Sequence, residues 1–229
     1  MTGPMPTVEA CDLYLSYGQT PALRGVSLAC LPGESVAVMG PSGSGKSSLL
    51  HCLAGVLRPD SGEVRVAGQR LDTMSERERS RHRLAHIGMV FQFGNLIPEL
   101  TLLENVALPL QLLGERAGDA RSRALALLDK LGVADVSGRR AGAVSGGQAQ
   151  RATVARAMVH TPTVVLADEP TGALDTVSAD KVVDSLLGLA REMGSTVLVV
   201  THENRIAAHC DRLLAMRDGA LAAYQAVTA

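Results

Sequence analysis

The sequence predicts an α/β fold built on a mainly parallel sheet. Short, continuous apolar runs at Ser35–Met39, Val164–Ala167 and Thr196–Val200 are typical of strands buried on both faces. Longer segments of helical periodicity, such as Ser178–Met193, alternate with them, which indicates a sheet with helices on both sides. The length of 229 residues suits one domain with an insertion.

The other elements follow from the same patterns. Before the insertion we predict strands at Val8–Leu15, Leu23–Leu28, Gly62–Val66 and Ile87–Phe91, and helices at Lys46–Gly55 and Ser75–Arg83. After it we predict a helix at Gln148–His160 and a closing hairpin of Leu213–Met216 and Ala220–Tyr224 around Asp218-Gly219. The insertion carries apolar residues at helical spacing in Leu103–Leu113 and Ala120–Leu131. We therefore expect a single domain, with a core at about 1–94 and 144–229 and a helical subdomain at about 95–143.

Composition excludes several classes of protein. A net charge of −1 and a pI near 6.6 provide no global field for nucleic acid, so no nucleic-acid partner is expected. No apolar run approaches the roughly 20 residues that a membrane-spanning helix needs, and the N-terminus does not resemble a signal peptide. We expect a cytosolic chain, or one bound to a membrane through another protein. The four cysteines are scattered, which indicates reduced thiols rather than metal ligands or disulfides.

A phosphate-binding loop, Gly40-Pro-Ser-Gly-Ser-Gly-Lys46-Ser47, follows the Ser35–Met39 strand. Its glycines allow the backbone to wrap around phosphates, and the helix that it opens adds a positive N-terminal end. Lys46 can reach the β- and γ-phosphates, and the Ser47 hydroxyl can bind Mg²⁺. The predicted nucleotide-binding residues here are Gly40, Pro41, Ser42, Gly43, Ser44, Gly45, Lys46, Ser47 and Ser48.

Two adjacent carboxylates follow the Val164–Ala167 strand. Asp168 is expected at the sheet edge where the phosphate loop also opens, so it can hold Mg²⁺, through water. Successive side chains of an extended chain point apart, and Glu169 is therefore expected to face the γ-phosphate as the general base. The alternative is a surface acidic turn, which the four apolar residues before Asp168 disfavour.

A third motif, Ser145-Gly146-Gly147-Gln148, precedes a predicted helix. Ser145 is a good N-cap, and the glycines leave backbone N–H groups open to an anion. Taken alone, the motif is more typical of an ordinary turn. Its place before the acidic strand and the following Arg151 favour a functional site.

In this order the three motifs resemble those of ATP-binding-cassette (ABC) ATPases, and the resemblance covers nearly the whole chain. It implies a phosphate-loop NTPase core with an antiparallel β subdomain and an inserted α-helical subdomain. It also implies that ATP and Mg²⁺ are bound, that ATP is hydrolysed, and that the Ser145 motif binds ATP held by a second copy of the chain. The family's usual leading Leu of this motif is Val144 here.

Further residues match the same family. Tyr17 matches an aromatic that stacks on adenine, although a core tyrosine is the alternative. Gln92 matches a glutamine that senses Mg²⁺ and water, and His202 matches a histidine that contacts the γ-phosphate, although a lone histidine is more often structural. Ala173-Leu174-Asp175 resembles a loop that crosses the dimer interface.

The stretch Val90–Val106 resembles a narrower group, which serves lipoprotein release, macrolide export, peptide resistance and cell division. That resemblance implies a homodimer at the cytoplasmic face of the membrane, attached through a separate permease, which either exports or extracts a substrate or transmits force or signal. Within it, Leu96 and Ile97 are expected to be exposed on a loop that docks the permease. The alternative is that they anchor the helical subdomain to the core.

Overall fold

The computed structural model describes residues 4–92, 95–172 and 174–222. The strands are β1 (Val8–Tyr17), β2 (Thr20–Cys30), β3 (Ser35–Met39), β4 (Ser61–Val66), β5 (Gln69–Arg70), β6 (Ile87–Phe91), β7 (Val164–Asp168), β8 (Thr196–Thr201), β9 (Arg212–Arg217) and β10 (Ala220–Leu221). The helices are α1 (Lys46–Leu53), α2 (Glu76–His86), α3 (Leu102–Leu112), α4 (Ala117–Lys130), α5 (Gly146–Met158), α6 (Thr176–Met193) and α7 (Asn204–Ala207).

The larger sheet has the order β10-β9-β3-β8-β7-β6, and β10 is its antiparallel edge strand. The five other strands pair in parallel, which confirms the predicted mainly parallel sheet. Its register aligns Phe91 with Asp168 and Asp168 with Val200, and it aligns Met39 with Thr201. The carboxyl ends of β3, β6, β7 and β8 therefore meet at one edge of the sheet, which we call the carboxyl edge.

The smaller sheet is antiparallel, in the order β2-β1-β4-β5, and confirms the antiparallel β part of the fold class. Its apolar face shares one buried cluster with α1 and one face of the larger sheet, including Leu13, Leu49 and Leu198. Burying each such leucine stabilises the fold by about 1.5–3 kcal/mol. This cluster fixes α1, and with it the phosphate loop, against both sheets.

The opposite face of the larger sheet is covered by α3, α4, α5 and α6. Leu102, Leu128, Met158 and Leu186 of these helices share a second buried cluster with Val199 of β8. The predicted helical insertion is present as α3 and α4, which pack on each other and on α5. The limits of 95–143 for a separate subdomain stay a prediction.

Element ends follow local capping. Thr101 forms a capping box with Glu104 at the start of α3, and α6 ends at Gly194, where φ is +70°. Sequence patterns missed β5 and α7, because two and four residues are too short to show a period. Tyr224, in the predicted hairpin, lies outside the described residues. Among the helices that the structure describes, each is too short or too polar to span a bilayer.

Candidate active site

The carboxyl edge collects most of the predicted site residues. The phosphate loop follows β3, and Gln92 follows β6. Asp168 ends β7, Glu169 follows it, and His202 follows β8. Parallel strands explain this convergence, because every strand delivers the residue after its carboxyl end to the same edge.

Three glycines of the phosphate loop are required for different structural reasons. A Cβ at Gly40 would lie 2.1 Å from the carbonyl oxygen of Met216, and one at Gly45 would lie 2.4 Å from that of Ala22. Close packing of the loop against β9 and β2 therefore requires these two glycines. This requirement is additional to the predicted one, that the backbone wraps around phosphates. Gly43, with φ of +78° and open space around it, is the position where only backbone conformation requires glycine.

Lys46 and Ser44 lie inside the loop. The Lys46 ammonium donates to the carbonyl oxygens of Gly40 at 2.8 Å and Pro41 at 2.9 Å, and the residue is 6% exposed. This ties the positive charge to the centre of the loop. The Ser44 hydroxyl is buried without a hydrogen-bond partner among the described residues, 2.7 Å from where a Gly40 Cβ would be. The Ser44 backbone N–H donates to the carbonyl oxygen of Pro41 at 3.2 Å, so phosphate binding by Ser44 stays a prediction.

Ser47 and Asp168 provide the oxygen atoms of a candidate metal site. The Ser47 hydroxyl donates to Oδ1 of Asp168 at 3.2 Å. Burial raises the pKa of Asp168, and the hydrogen bond from Ser47 and the nearby His51 oppose that rise. Both residues and Gln92 border one cleft of about 490 Å³. A hydroxyl, a carboxylate and an amide are hard oxygen donors, so this set fits Mg²⁺.

Glu169 is aimed by a backbone turn, not by strand alternation as the sequence suggested. Its φ is +44°, a left-handed conformation that is uncommon for a residue with a side chain. Its backbone N–H still donates to the carbonyl oxygen of Val200 at 2.9 Å, so the turn is anchored on β8. Strained backbone of this kind is concentrated at functional sites.

A second cleft, of about 330 Å³, adjoins the loop on the side of the β1–β2 turn. Tyr17 borders it, is 54% exposed, and has its hydroxyl 3.4 Å from Oγ of Ser48. A core role for Tyr17 is therefore wrong. The cleft combines an exposed ring with Pro21 and Ala22 beside the phosphate loop, which suits a flat base attached to phosphates.

The Ser145 motif and Asp175 lie apart from both clefts. Ser145 caps α5 as predicted, and it forms a capping box with Gln148. Asp175 caps α6 through hydrogen bonds from the backbone and hydroxyl of Ser178, and these bonds lower the pKa of its carboxyl. This cap was not predicted, although the Asp-x-x-Ser spacing of Asp175 and Ser178 is its sequence signal. The two helix starts adjoin, since Leu174 lies 3.5 Å from a Cβ position at Gly146. Ala173 lies outside the described residues.

Leu96 and Ile97 were both expected to be exposed, and this is wrong for Leu96. Leu96 packs against the cluster of the helical face, as the alternative held, whereas Ile97 is 37% exposed. Asn105, fully buried, donates to the Ile97 carbonyl oxygen and accepts from its N–H. The segment is therefore fixed on α3. Gly94 lies outside the described residues.

An apolar groove of about 340 Å³ lies beside this segment, between α2, β6, α3 and α5. Leu84, Met89, Phe91 and Leu112 line it, and Leu112 is 63% exposed. Sequence patterns did not indicate this groove, because its residues come from four separate elements.

Comparison with known proteins identifies the family of this chain and several relatives. Residues 23–172 match the family described as ABC transporter. The chain is 44% identical over 204 residues to the lipoprotein-releasing system ATP-binding protein LolD 2 of Caulobacter vibrioides, covering 89% of this chain and 90% of that protein. It is 45% identical over 218 residues to the uncharacterized ABC transporter ATP-binding protein YbbA of Escherichia coli K12, covering 93% and 96%.

Solved structures show the same architecture. The dimeric, post-hydrolysis ATP-binding cassette MJ0796, bound to ADP and Pi, superimposes with a TM-score of 0.90 at 36% identity. The superposition covers 97% of this chain and 99% of that one. The structure of cbiO1 from Clostridium perfringens, part of the ABC transporter complex cbiONQ, gives a TM-score of 0.85 at 26% identity, covering 95% of this chain and 87% of that one.

Proposed function

This chain belongs to the ABC transporter family of ATPases, and from that premise we propose that it is a homodimeric subunit that drives a separate membrane permease of the lipoprotein-release kind. The observation that carries the proposal is the meeting of the phosphate loop, Asp168 and Glu169 at one sheet edge. Relatives named for lipoprotein release match the chain over most of its length. We place the chain at the cytoplasmic face of the membrane, attached through the permease.

In the proposed reaction each residue has one task. The loop N–H groups and Lys46 bind the phosphates, and Tyr17 stacks on the adenine. Mg²⁺, when bound, would be held by Ser47 and Asp168 with Gln92 beside them, and it would neutralise phosphate charge. Glu169, oriented by His202, accepts a proton from the attacking water.

The dimer follows from the separation of the Ser145 motif from the clefts. Exposed Ser145 and Gly146 sit at the N-terminal end of α5, where helix N–H groups attract an anion. Two chains placed head to tail would bring this end of each to the ATP of the other. The MJ0796 cassette is dimeric, which supports association of two copies.

The permease is proposed to dock in the apolar groove beside Gln92. Phe91 lines the groove and directly precedes Gln92, which borders the cleft of Ser47 and Asp168. A segment seated there would touch the residue next to the metal cleft, so docking and hydrolysis can influence each other. Exposed Leu112 offers an apolar contact at the groove.

The experiment is co-purification with a permease encoded beside this chain, using Leu112→Asp. Leu112 is exposed, so the change should leave melting temperature and basal ATPase activity intact while permease binding and permease-stimulated hydrolysis fall. Leu125→Asp on α4 is the matched control, because Leu125 is 43% exposed but does not line the groove. If both variants co-purify with the permease as well as the parent protein does, the proposed docking site is wrong. Release of a lipid-anchored protein from vesicles holding the complex tests the substrate class.

A further inference from the structure

Gln150 has no place in the chemistry described above, yet its side chain joins two parts of the site. It belongs to α5 and is 4% exposed. Its amide nitrogen donates to the carbonyl oxygens of Phe91 at 2.9 Å and Pro170 at 2.7 Å. Both hydrogen atoms of one amide group are therefore used, one at the end of β6 and the other in the turn after β7.

The two bonded carbonyls belong to the neighbours of functional residues. Phe91 directly precedes Gln92, and Pro170 directly follows Glu169. The segments that follow β6 and β7 also touch, because a Cβ at Gly172 would lie 2.6 Å from the Gln92 amide nitrogen. Losing such a donor at a buried position removes a hydrogen bond from both carbonyls, so the two segments depend on this amide for their relative position.

The same helix binds the chain on the other side of Gln92. The Arg156 guanidinium donates to the carbonyl oxygen of Asn95 at 2.7 Å. Since α5 begins at the Ser145 motif, one rigid helix connects that motif to both sides of Gln92 and to the turn of Glu169.

We propose that Gln150 is a positioning residue, which holds Gln92 and Glu169 in register with each other and with α5. The inference rests on the roles given to Gln92 and Glu169 under the proposed function. Gln150 lines neither cleft at the carboxyl edge, so it acts through the residues that it holds.

The test is Gln150→Leu, which removes both donors at similar volume. We expect kcat to fall about 10–100-fold, as for other residues that orient a site, while the Kd for ATP is unchanged. Ser195→Ala is the control: it removes one buried hydrogen bond, of 2.6 Å to the Pro162 carbonyl oxygen, at the amino ends of β7 and β8. It should lower melting temperature but keep kcat.

A double-mutant cycle with Gln92→Ala separates positioning from general damage. If Gln150 acts through Gln92, the fold-reduction in kcat caused by Gln150→Leu should be smaller in the Gln92→Ala background than in the parent. Parent kcat in Gln150→Leu, or equal losses in both backgrounds, would overturn the inference. Should Gln150→Leu fail to fold, Gln150→Glu is measured in its place, and failure of both to fold would make Gln150 a structural residue. Glu169→Gln is run in parallel: if it keeps parent turnover, the proposed function fails instead.

Discussion

Oε1 of Glu169 lies 3.1 Å from Nδ1 of His202, at the ends of the neighbouring strands β7 and β8. An ionised carboxylate accepts only, so the shared proton belongs to the imidazole nitrogen. The bond fixes one carboxylate oxygen and leaves Oε2 for a water molecule. Under the proposed function, this bond and the left-handed turn at Glu169 would set the direction from which the attacking water meets the phosphate loop.

Glu169→Gln should bind ATP like the parent and lose about 10²–10⁴ in turnover, the usual span for a positioned general base. The amide keeps the shape and can still accept from His202, but it cannot take a proton. Steady-state phosphate release and equilibrium ATP binding measure the two effects. Turnover at the parent rate would remove Glu169 from the role of base.

His202→Ala tests the orienting bond separately. The carboxylate remains but loses its fixed direction, so we expect a smaller fall in kcat than for Glu169→Gln, about 10–100-fold. Because His202 is 57% exposed at its side chain, melting temperature should not change. A fall in melting temperature that accounts for the lost activity would contradict an orienting role.

The strands and the phosphate loop were predictable because their signals are local. Runs such as Val164–Ala167 need only a few consecutive apolar residues to mark a buried strand, and parallel order then brings their ends together. The turn at Glu169 was not predictable, because its left-handed φ depends on the bond to β8. The need for Gly40 was likewise hidden, since it arises from Met216, far along the chain.

Side chains whose roles depend on tertiary neighbours were also missed or misjudged. Leu96 and Ile97 are adjacent and similarly apolar, yet only Leu96 packs on the helical cluster. Gln150 resembles any polar residue of a helix until β6 and the turn at Pro170 are placed beside it. Pattern and propensity contain no information about such distant contacts.

Lys46→Ala should abolish ATP binding at concentrations that saturate the parent. The change removes the ammonium that lies at the centre of the phosphate loop, and it also removes two hydrogen bonds to loop carbonyls. A loss of thermal stability is therefore expected even without nucleotide. Calorimetric titration with ATP and thermal melting measure both effects, and intact ATP affinity would contradict the assignment of Lys46.

MgATP should convert Glu169→Gln from monomer to dimer, because nucleotide that completes an interface links binding to association. Multi-angle light scattering with and without MgATP measures the mass. Adding Ser145→Ala should weaken the dimer while each chain still binds ATP, although the lost cap also costs about 1 kcal/mol of stability. A dimer that forms equally well without nucleotide would contradict the composite site.

Asp72→Asn should reduce stability at neutral pH and lose that effect in acid. Burial alone would raise the pKa of Asp72, but hydrogen bonds from Arg70 and from the Val64 backbone outweigh it, so the pKa is lowered. A carboxyl with a depressed folded-state pKa stabilises the fold above its unfolded pKa of about 3.9, and that stabilisation is lost as pH falls through the folded value. The asparagine oxygen can still accept from Val64, but its NH₂ group cannot accept from Arg70, so the hydrogen bond and ion pair with Arg70 are lost, about 1 kcal/mol. Urea unfolding of parent and variant from pH 7 to pH 3 should show two free energies of unfolding that converge at low pH.

Asp218→Asn, at an exposed pair with Arg217, is the control and should change neither the stability nor its pH dependence. A difference between parent and Asp72→Asn that stays constant with pH would show that the Asp72 charge does not stabilise the fold.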